Sequence, residues 1–201
     1  NEKMNAGIDL NADPKIFKKT VQLKNISFKE AIELSYLGAS VIHPKTIKPL
    51  QNKGIPLSIR SFLNTQLNGS WISENGGNDQ DVPSYIYKPD QILLSISAKD
   101  YSFIFEDHIS ELFGIFSING LKVHLMQNSA LSFSICGYIK SPLIPNLIGE
   151  LSEKYLVRYN EKVDLLTIRQ YKDFELPELV AGQEILIEQR SRSTIRYVLK
   201  K

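Results

Sequence analysis

Gly38-Ala39-Ser40-Val41-Ile42-His43-Pro44-Lys45-Thr46 follows directly on Ser27-Phe28-Lys29-Glu30-Ala31-Ile32-Glu33-Leu34-Ser35-Tyr36-Leu37, and these twenty residues decide how the first third of the chain folds. Ser27-x-x-Glu30 is a capping box, in which the Ser27 hydroxyl takes the amide three residues on and Glu30 reaches back. Ala31, Leu34 and Leu37 recur at helical spacing, and Gly38 supplies a stop. Pro44 cannot continue a helix, so residues 41–43 form a turn. A second helix is expected over 46–53, with Pro49 in its first turn and Gly54 at its end. Ile55-Pro56-Leu57-Ser58-Ile59-Arg60 then alternates as a short strand. Helix followed by strand points to an α/β layer.

Outward from that stretch, residues 74–90 are polar and rich in Gly and Asn, and read as a linker. Beyond them lies a strand over 91–97 and an amphipathic helix over 109–117, with Leu112, Phe113 and Phe116 in its stripe and Asn119-Gly120 as its stop. Strands follow over 121–127 and 130–136, joined by a hairpin-like step at Asn128-Ser129. A helix over 145–155 and strands over 163–169, 184–188 and 194–199 complete the chain. The order β-α-β-β-α-β is ferredoxin-like, and residues 91–201 are expected to be α+β.

Composition bounds the function. The 201 residues are 42% hydrophobic and 23% charged, as in a folded globular protein. No apolar run approaches the roughly 18 residues of a membrane helix. One cysteine, Cys136, cannot form an internal disulfide, which fits a reducing compartment, and a cytoplasmic location is expected. A net charge of +2 is too small to imply nucleic acid, and the strands carry Ser, Leu and Ile where an RNA-binding sheet carries basic and aromatic residues. Residues 1–60 are more basic, with ten Lys/Arg against five Asp/Glu, which reads as a solvated surface or, second, a face for phosphate. Three histidines and one cysteine show no metal-ligand spacing. Glu106 and Asp107 read as helix-start residues, Arg190 and Arg192 as a solvent-facing edge, and Phe103, Phe105, Phe113 and Phe116 as core. His43 reads as a turn residue and not a catalytic base.

The run Ala31-Ile32-Glu33-Leu34-Ser35-Tyr36-Leu37-Gly38-Ala39-Ser40-Val41-Ile42-His43-Pro44-Lys45-Thr46, supported by Asp13-Pro14-Lys15 and Ile55-Pro56-Leu57, resembles the closing part of the aspartokinase catalytic domain. Ile109-Ser110-Glu111-Leu112-Phe113-Gly114-Ile115 and Lys122-Val123-His124-Leu125-Met126-Gln127-Asn128-Ser129 look like the effector-binding stretch of its ACT regulatory module. The resemblance implies an α/β remnant of an amino-acid-kinase domain over 1–73, a linker over 74–90, a first ACT unit over 91–140 and a second, shortened one over 141–201. The chain opens at Asn1, and the family's phosphate-cradling Lys-Gly-Gly-Ser/Thr segment is not in it, so a C-terminal, mainly regulatory piece of a kinase is expected.

By the same resemblance, the intact enzyme would use ATP with magnesium to phosphorylate L-aspartate, opening the route to lysine, threonine and methionine. This piece would need no cofactor, would carry no catalytic residue and would be inactive alone. Leu10, Lys15, Ser40 and Val41 fall on nucleotide-side positions. The family has Arg where Lys15 stands and Lys where Ser40 stands, and its Tyr before Asp-Pro is Leu10. Phe105, His108, Ile109, Val123, His124, Ser129 and Ala130 fall on effector-side positions. The helix start there would offer amides to an amino-acid carboxylate. Lysine-responsive members carry Asp at His124 and Glu at Ala130. Lysine or threonine is the expected effector, and ACT pairing implies a homodimer with no nucleic acid or membrane partner. The alternative is a non-catalytic ACT sensor with a decayed kinase remnant.

Overall fold

The computed structural model describes residues 11–39, 42–60, 66, 68–77, 82–171 and 180–200. The chain divides into two compact units, one of Asn1–Ile86, Thr167–Leu176 and Arg190–Ile195, the other of Tyr87–Leu166, Pro177–Gln189 and Arg196–Lys201. No described helix is long and apolar enough to cross a membrane.

In the first unit, β1 (Asn25–Ser27) leads straight into α1 (Phe28–Leu37). Ser27 Oγ accepts from the Glu30 amide at 3.1 Å, so one half of the capping box forms. The Glu30 carboxylate, however, turns away from the helix start to Arg169. Phe28, Ala31, Leu34 and Leu37 fall on one face and are buried. Gly38 ends the helix at φ 110°, where a side chain would be strained, and its amide returns to Leu34 O. Next comes α2 (Pro44–Asn52), capped by His43, whose Nδ1 accepts from the Lys45 amide at 3.2 Å. Pro44 begins this helix, two residues before the expected start, so Pro49 lies in its body and not its first turn. Pro49 is on the exposed side, where a missing amide hydrogen bond is offset by water.

The strands β2 (Leu57–Ile59) and β3 (Ser70–Ser73) complete a three-stranded sheet of order β1-β3-β2, parallel on one side and antiparallel on the other. Ile26 and Ile72 face each other in register, 2% and 1% exposed, and pack with Phe28, Leu34, Leu37 and Ile47. Each such burial contributes about 1.5–3 kcal/mol. This is the α/β layer expected from the opening stretch.

The remaining elements, which form the second unit apart from strand ends at residues 84–86, 167–169, 190 and 194–195 that belong to the first, are β4 (Ser84–Ala98), α3 (Glu106–Ile118), β5 (Lys122–Asn128), β6 (Ser132–Tyr138), α4 (Ile144–Lys154), β7 (Tyr155–Arg169), β8 (Glu184–Arg190) and β9 (Thr194–Lys200). They make one six-stranded sheet of order β5-β6-β4-β7-β9-β8. The ferredoxin-like run β4-α3-β5-β6-α4-β7 therefore occupies residues 84–169, with β9 and β8 added beyond β7. The 140/141 division drawn on the sequence falls inside that run. The expected linker also gives way at Ser84, because Ser84, Ile86 and the residues between them already belong to β4.

Alternation sorts β4 onto two cores. Ile92, Leu94 and Ile96 pack with Leu112 and Phe116 of α3 and Leu147 and Leu151 of α4. Leu93 lies with Leu125, Cys136, Val163, Leu165 and Val198. Of the four phenylalanines assigned to the core, only Phe116 is buried; Phe103, Phe105 and Phe113 are 53%, 57% and 39% exposed. Two side-chain bonds tie β8–β9 to β5, Gln189 Nε2 to Met126 O at 2.9 Å and Arg196 Nη1 to His124 O at 3.2 Å. Strands four and five places apart in the order thus meet, and the sheet curls around its second core.

Candidate functional site

Helix α3 begins at residues that the family resemblance leads one to expect on the effector side. Phe105 is its N-cap with extended backbone, and the Phe105 amide donates to His108 Nδ1 at 3.3 Å. The Ile109 amide closes the first turn on Phe105 O. By helix geometry the amides of Glu106, Asp107 and His108 have no intrahelical acceptor. Glu106 and Asp107 occupy the first turn, as expected, where their charge suits the helix dipole.

The β5–β6 hairpin supplies a second wall. Ser129 organises its tip, its amide donating to Ser132 O at 2.8 Å and its Oγ accepting from the Ser132 amide at 3.1 Å. Ala130 O accepts from the Ile104 amide at 3.0 Å. That bond fastens the hairpin tip beside Phe105. Phe105, His108, Ile109, Ser129 and Ala130 are thus brought to one end of the unit.

Behind His108 stands Tyr155, with ring centroids 6.2 Å apart and an edge-on angle of 78°. Its hydroxyl donates to Glu111 Oε2 at 3.1 Å, and Lys154 bonds the other oxygen. Those partners, Lys154 first, hold the Glu111 carboxyl below its usual range. Burial and then Glu111 push the Tyr155 hydroxyl up to about 12. Glu111 and Tyr155 were not singled out in the sequence, and only their contact across 44 positions draws attention to them.

Two effector-side positions have other surroundings. Val123 points inward and packs on the helix-side core. His124 lies at a bulge, since Val123 pairs with Gly137 and Leu125 with Cys136. Its Nδ1 is 3.2 Å from Lys88 Nζ. Burial first, then Lys88, Lys122 and Arg196, press its pKa down to about 4. A neutral imidazole among cations is a poor place for an ammonium group.

On the kinase side, Lys15 is exposed at a turn where its amide donates to Asp13 Oδ1 at 2.9 Å. Leu10, Ser40 and Val41 lie outside the described residues. In the same unit, the carboxylate read as half of a cap, Glu30, receives Arg169 Nε at 3.0 Å and Nη2 at 2.5 Å, while Arg169 Nη1 reaches Thr194 Oγ1 at 2.9 Å. Both partners are buried, and nothing in the local sequence around Glu30 marks a partner 139 positions away.

Comparison with known proteins agrees with this anatomy. Residues 5–61 match the amino acid kinase family. The bifunctional aspartokinase/homoserine dehydrogenase of Haemophilus influenzae is 30% identical over 171 residues, covering 84% of this chain and 20% of that protein. The Buchnera aphidicola protein of the same name is 33% identical over 123 residues, covering 59% of this chain and 15% of that one. The chain thus spans a fifth or less of these relatives' lengths. Among solved structures, Clostridium acetobutylicum aspartate kinase matches with TM-score 0.76 at 19% identity, over 96% of this chain and 48% of that one. Aspartokinase III of E. coli, in complex with lysine and aspartate, matches with TM-score 0.73 at 20% identity, over 94% of this chain and 45% of that one. At these identities the structural matches establish the fold. The chain is an aspartokinase-like protein whose residues cover the kinase end and the regulatory domains.

Proposed function

We propose that this chain is the amino-acid-sensing part of an aspartate kinase that, when intact, transfers phosphate from ATP to L-aspartate. The observation that carries the reading is the Ile104–Ala130 backbone bond, which places the start of α3 beside the β5–β6 hairpin. Amides of the first turn suit the carboxylate of an amino acid. Ser129 and the exposed Phe105 ring border the same end. The solved E. coli enzyme with lysine and aspartate supports an amino-acid ligand, and the one with aspartate and ADP supports nucleotide use by the intact protein.

Phosphoryl transfer rests on positioned charge, and the nucleotide-side positions read Leu10, Lys15, Ser40 and Val41, with Lys15 the one cation among them, which supports a fragment inactive by itself. Effector binding acts by favouring one arrangement of the intact enzyme over another. Ala130 stands where a lysine-responsive member has Glu, and His124 has cationic neighbours, which favours threonine over lysine. Pairing of regulatory domains into a homodimer belongs to the same reading.

Thermal unfolding in the presence of threonine, lysine, methionine and aspartate tests it. An effector at about 100 times its Kd should add about 2.7 kcal/mol of stability, read as a rise in Tm of about 5–11 °C for a chain of this length. No rise with any of the four would refute the sensing role of this part.

A further inference from the structure

The first turn of α1 is held from outside the helix. Glu30 stands three residues after Ser27, the place from which a carboxylate can return to the N-cap amide. It is held instead by Arg169 Nε at 3.0 Å and Nη2 at 2.5 Å, with Gln170 Nε2 at 3.2 Å. Arg169 Nη1 donates to Thr194 Oγ1 at 2.9 Å and lies 3.8 Å from Glu33 Oε2, one turn along α1. Gln170 takes φ 54°, uncommon for a residue with a side chain, and its amide donates to Ser193 O at 2.6 Å. Arg169 is the last residue of β7 and Thr194 the first of β9. One guanidinium thus joins a helix to the ends of two strands, all within the first unit. Both strands run on into the second unit, which holds Tyr155–Leu166 of β7 and Arg196–Lys200 of β9.

A buried ion pair adds little net stability, since apolar residues of similar volume serve as well. What a forked guanidinium–carboxylate pair supplies is direction, because two parallel bonds fix an angle as well as a distance. Ile86 of β4 also packs in the α1 core, but an apolar contact is non-directional and tolerates sliding. The sequence just beyond α1 holds Ser40 and Val41, two of the nucleotide-side positions.

We propose that Glu30 and Arg169 are positioning residues that tie α1 to β7 and β9, so that a disturbance carried along either strand from the second unit reaches α1. An amino acid bound to the second unit would act on the kinase end through this tie. That last step rests on the sensing reading above; the tie itself does not.

The test needs no effector. Val198 is buried on β9 in the second unit, and Val198→Ala loosens the core there. Amide hydrogen exchange across α1 is then followed in the whole chain, in the wild-type background and in the double variant Glu30→Met with Arg169→Met. With the pair intact, Val198→Ala should speed exchange of the Phe28–Leu37 amides about tenfold. With the pair replaced, that acceleration should fall about threefold or more, as for residues coupled in one network, while the β9 amides still respond. A merely structural pair would change the basal exchange of α1 and leave its response to Val198→Ala intact. An α1 that ignores Val198→Ala in the wild-type background, or responds equally in both, overturns the proposal. Should the double variant not fold, Glu30→Gln, which keeps the size and removes the charge, takes its place under the same criteria. Sensing is read separately by Tm: no rise with any amino acid ends that reading and leaves the exchange result standing, whereas a rise with equal exchange responses overturns the tie alone.

Discussion

A carboxylate only 6% exposed survives where its lone pairs are filled, and Glu30 has Arg169 Nε and Nη2 and Gln170 Nε2 upon it. The Glu30 bonds come first among the causes that raise the Arg169 pKa. Removing one partner strands the other charge, so Glu30→Ala should cost about 3–5 kcal/mol in denaturant unfolding. Replacing both Glu30 and Arg169 with Met should recover much of that loss, because no buried charge remains. His124 gives a pH signature. An unfolded imidazole protonates near 6.5, whereas the folded one is held to about 4. The folded state binds fewer protons between those values, so stability is complete above about 6.5 and falls as pH drops toward 4. Urea midpoints measured across that window should fall with pH, and His124→Asn should flatten the trend. At this scale the sequence was a partial guide. Ser-x-x-Glu is the same string whether Glu caps or pairs at a distance, and no local pattern foretells that Lys88 and Arg196 will flank His124.

Elements with strong periodicity were legible to within a few residues. Helix α3 was expected over 109–117 and runs Glu106–Ile118, because Leu112 and Phe116 sit one turn apart and both are buried. Leu112, fully enclosed against β4 and α4, should lose about 2–5 kcal/mol on truncation to Ala, measured by chemical unfolding. The long strands were read short for a physical reason. Residues 84–90 of β4 include Lys88, Pro89 and Asp90, and residues 156–162 of β7 are mostly half-buried or exposed, so neither half shows a clear apolar alternation. Asp90 and Lys162 also take positive φ, 55° each, interrupting the pleat. The division at 140/141 failed to mark a boundary because α4 closes the same helix-side core as α3. The exposed aromatics Phe103 and Phe105 sit edge to face 5.8 Å apart at the loop before α3, where composition alone assigned them to the interior.

Across the whole molecule, the aspartokinase-like character was legible because both parts carry recognisable runs. How the sheet ends was not legible. Met126 O and His124 O on β5 already accept Gln189 and Arg196, so further pairing through that strand would have to displace both bonds. Edge strands with engaged carbonyls are protected from outside partners. If the protein dimerises, Met126→Lys should leave its mass in sedimentation equilibrium unchanged; dissociation to monomer would show that β5 is the pairing edge. The central claim is that the end of the second unit formed by α3 and the β5–β6 hairpin senses an amino acid. Amide chemical-shift mapping during titration with threonine, then lysine and methionine, tests it most directly. The expected result is saturable movement of the Phe105–Ile109 and Ser129–Ser132 amides with one of the three; saturable movement confined to other residues, or none with any, would contradict the claim.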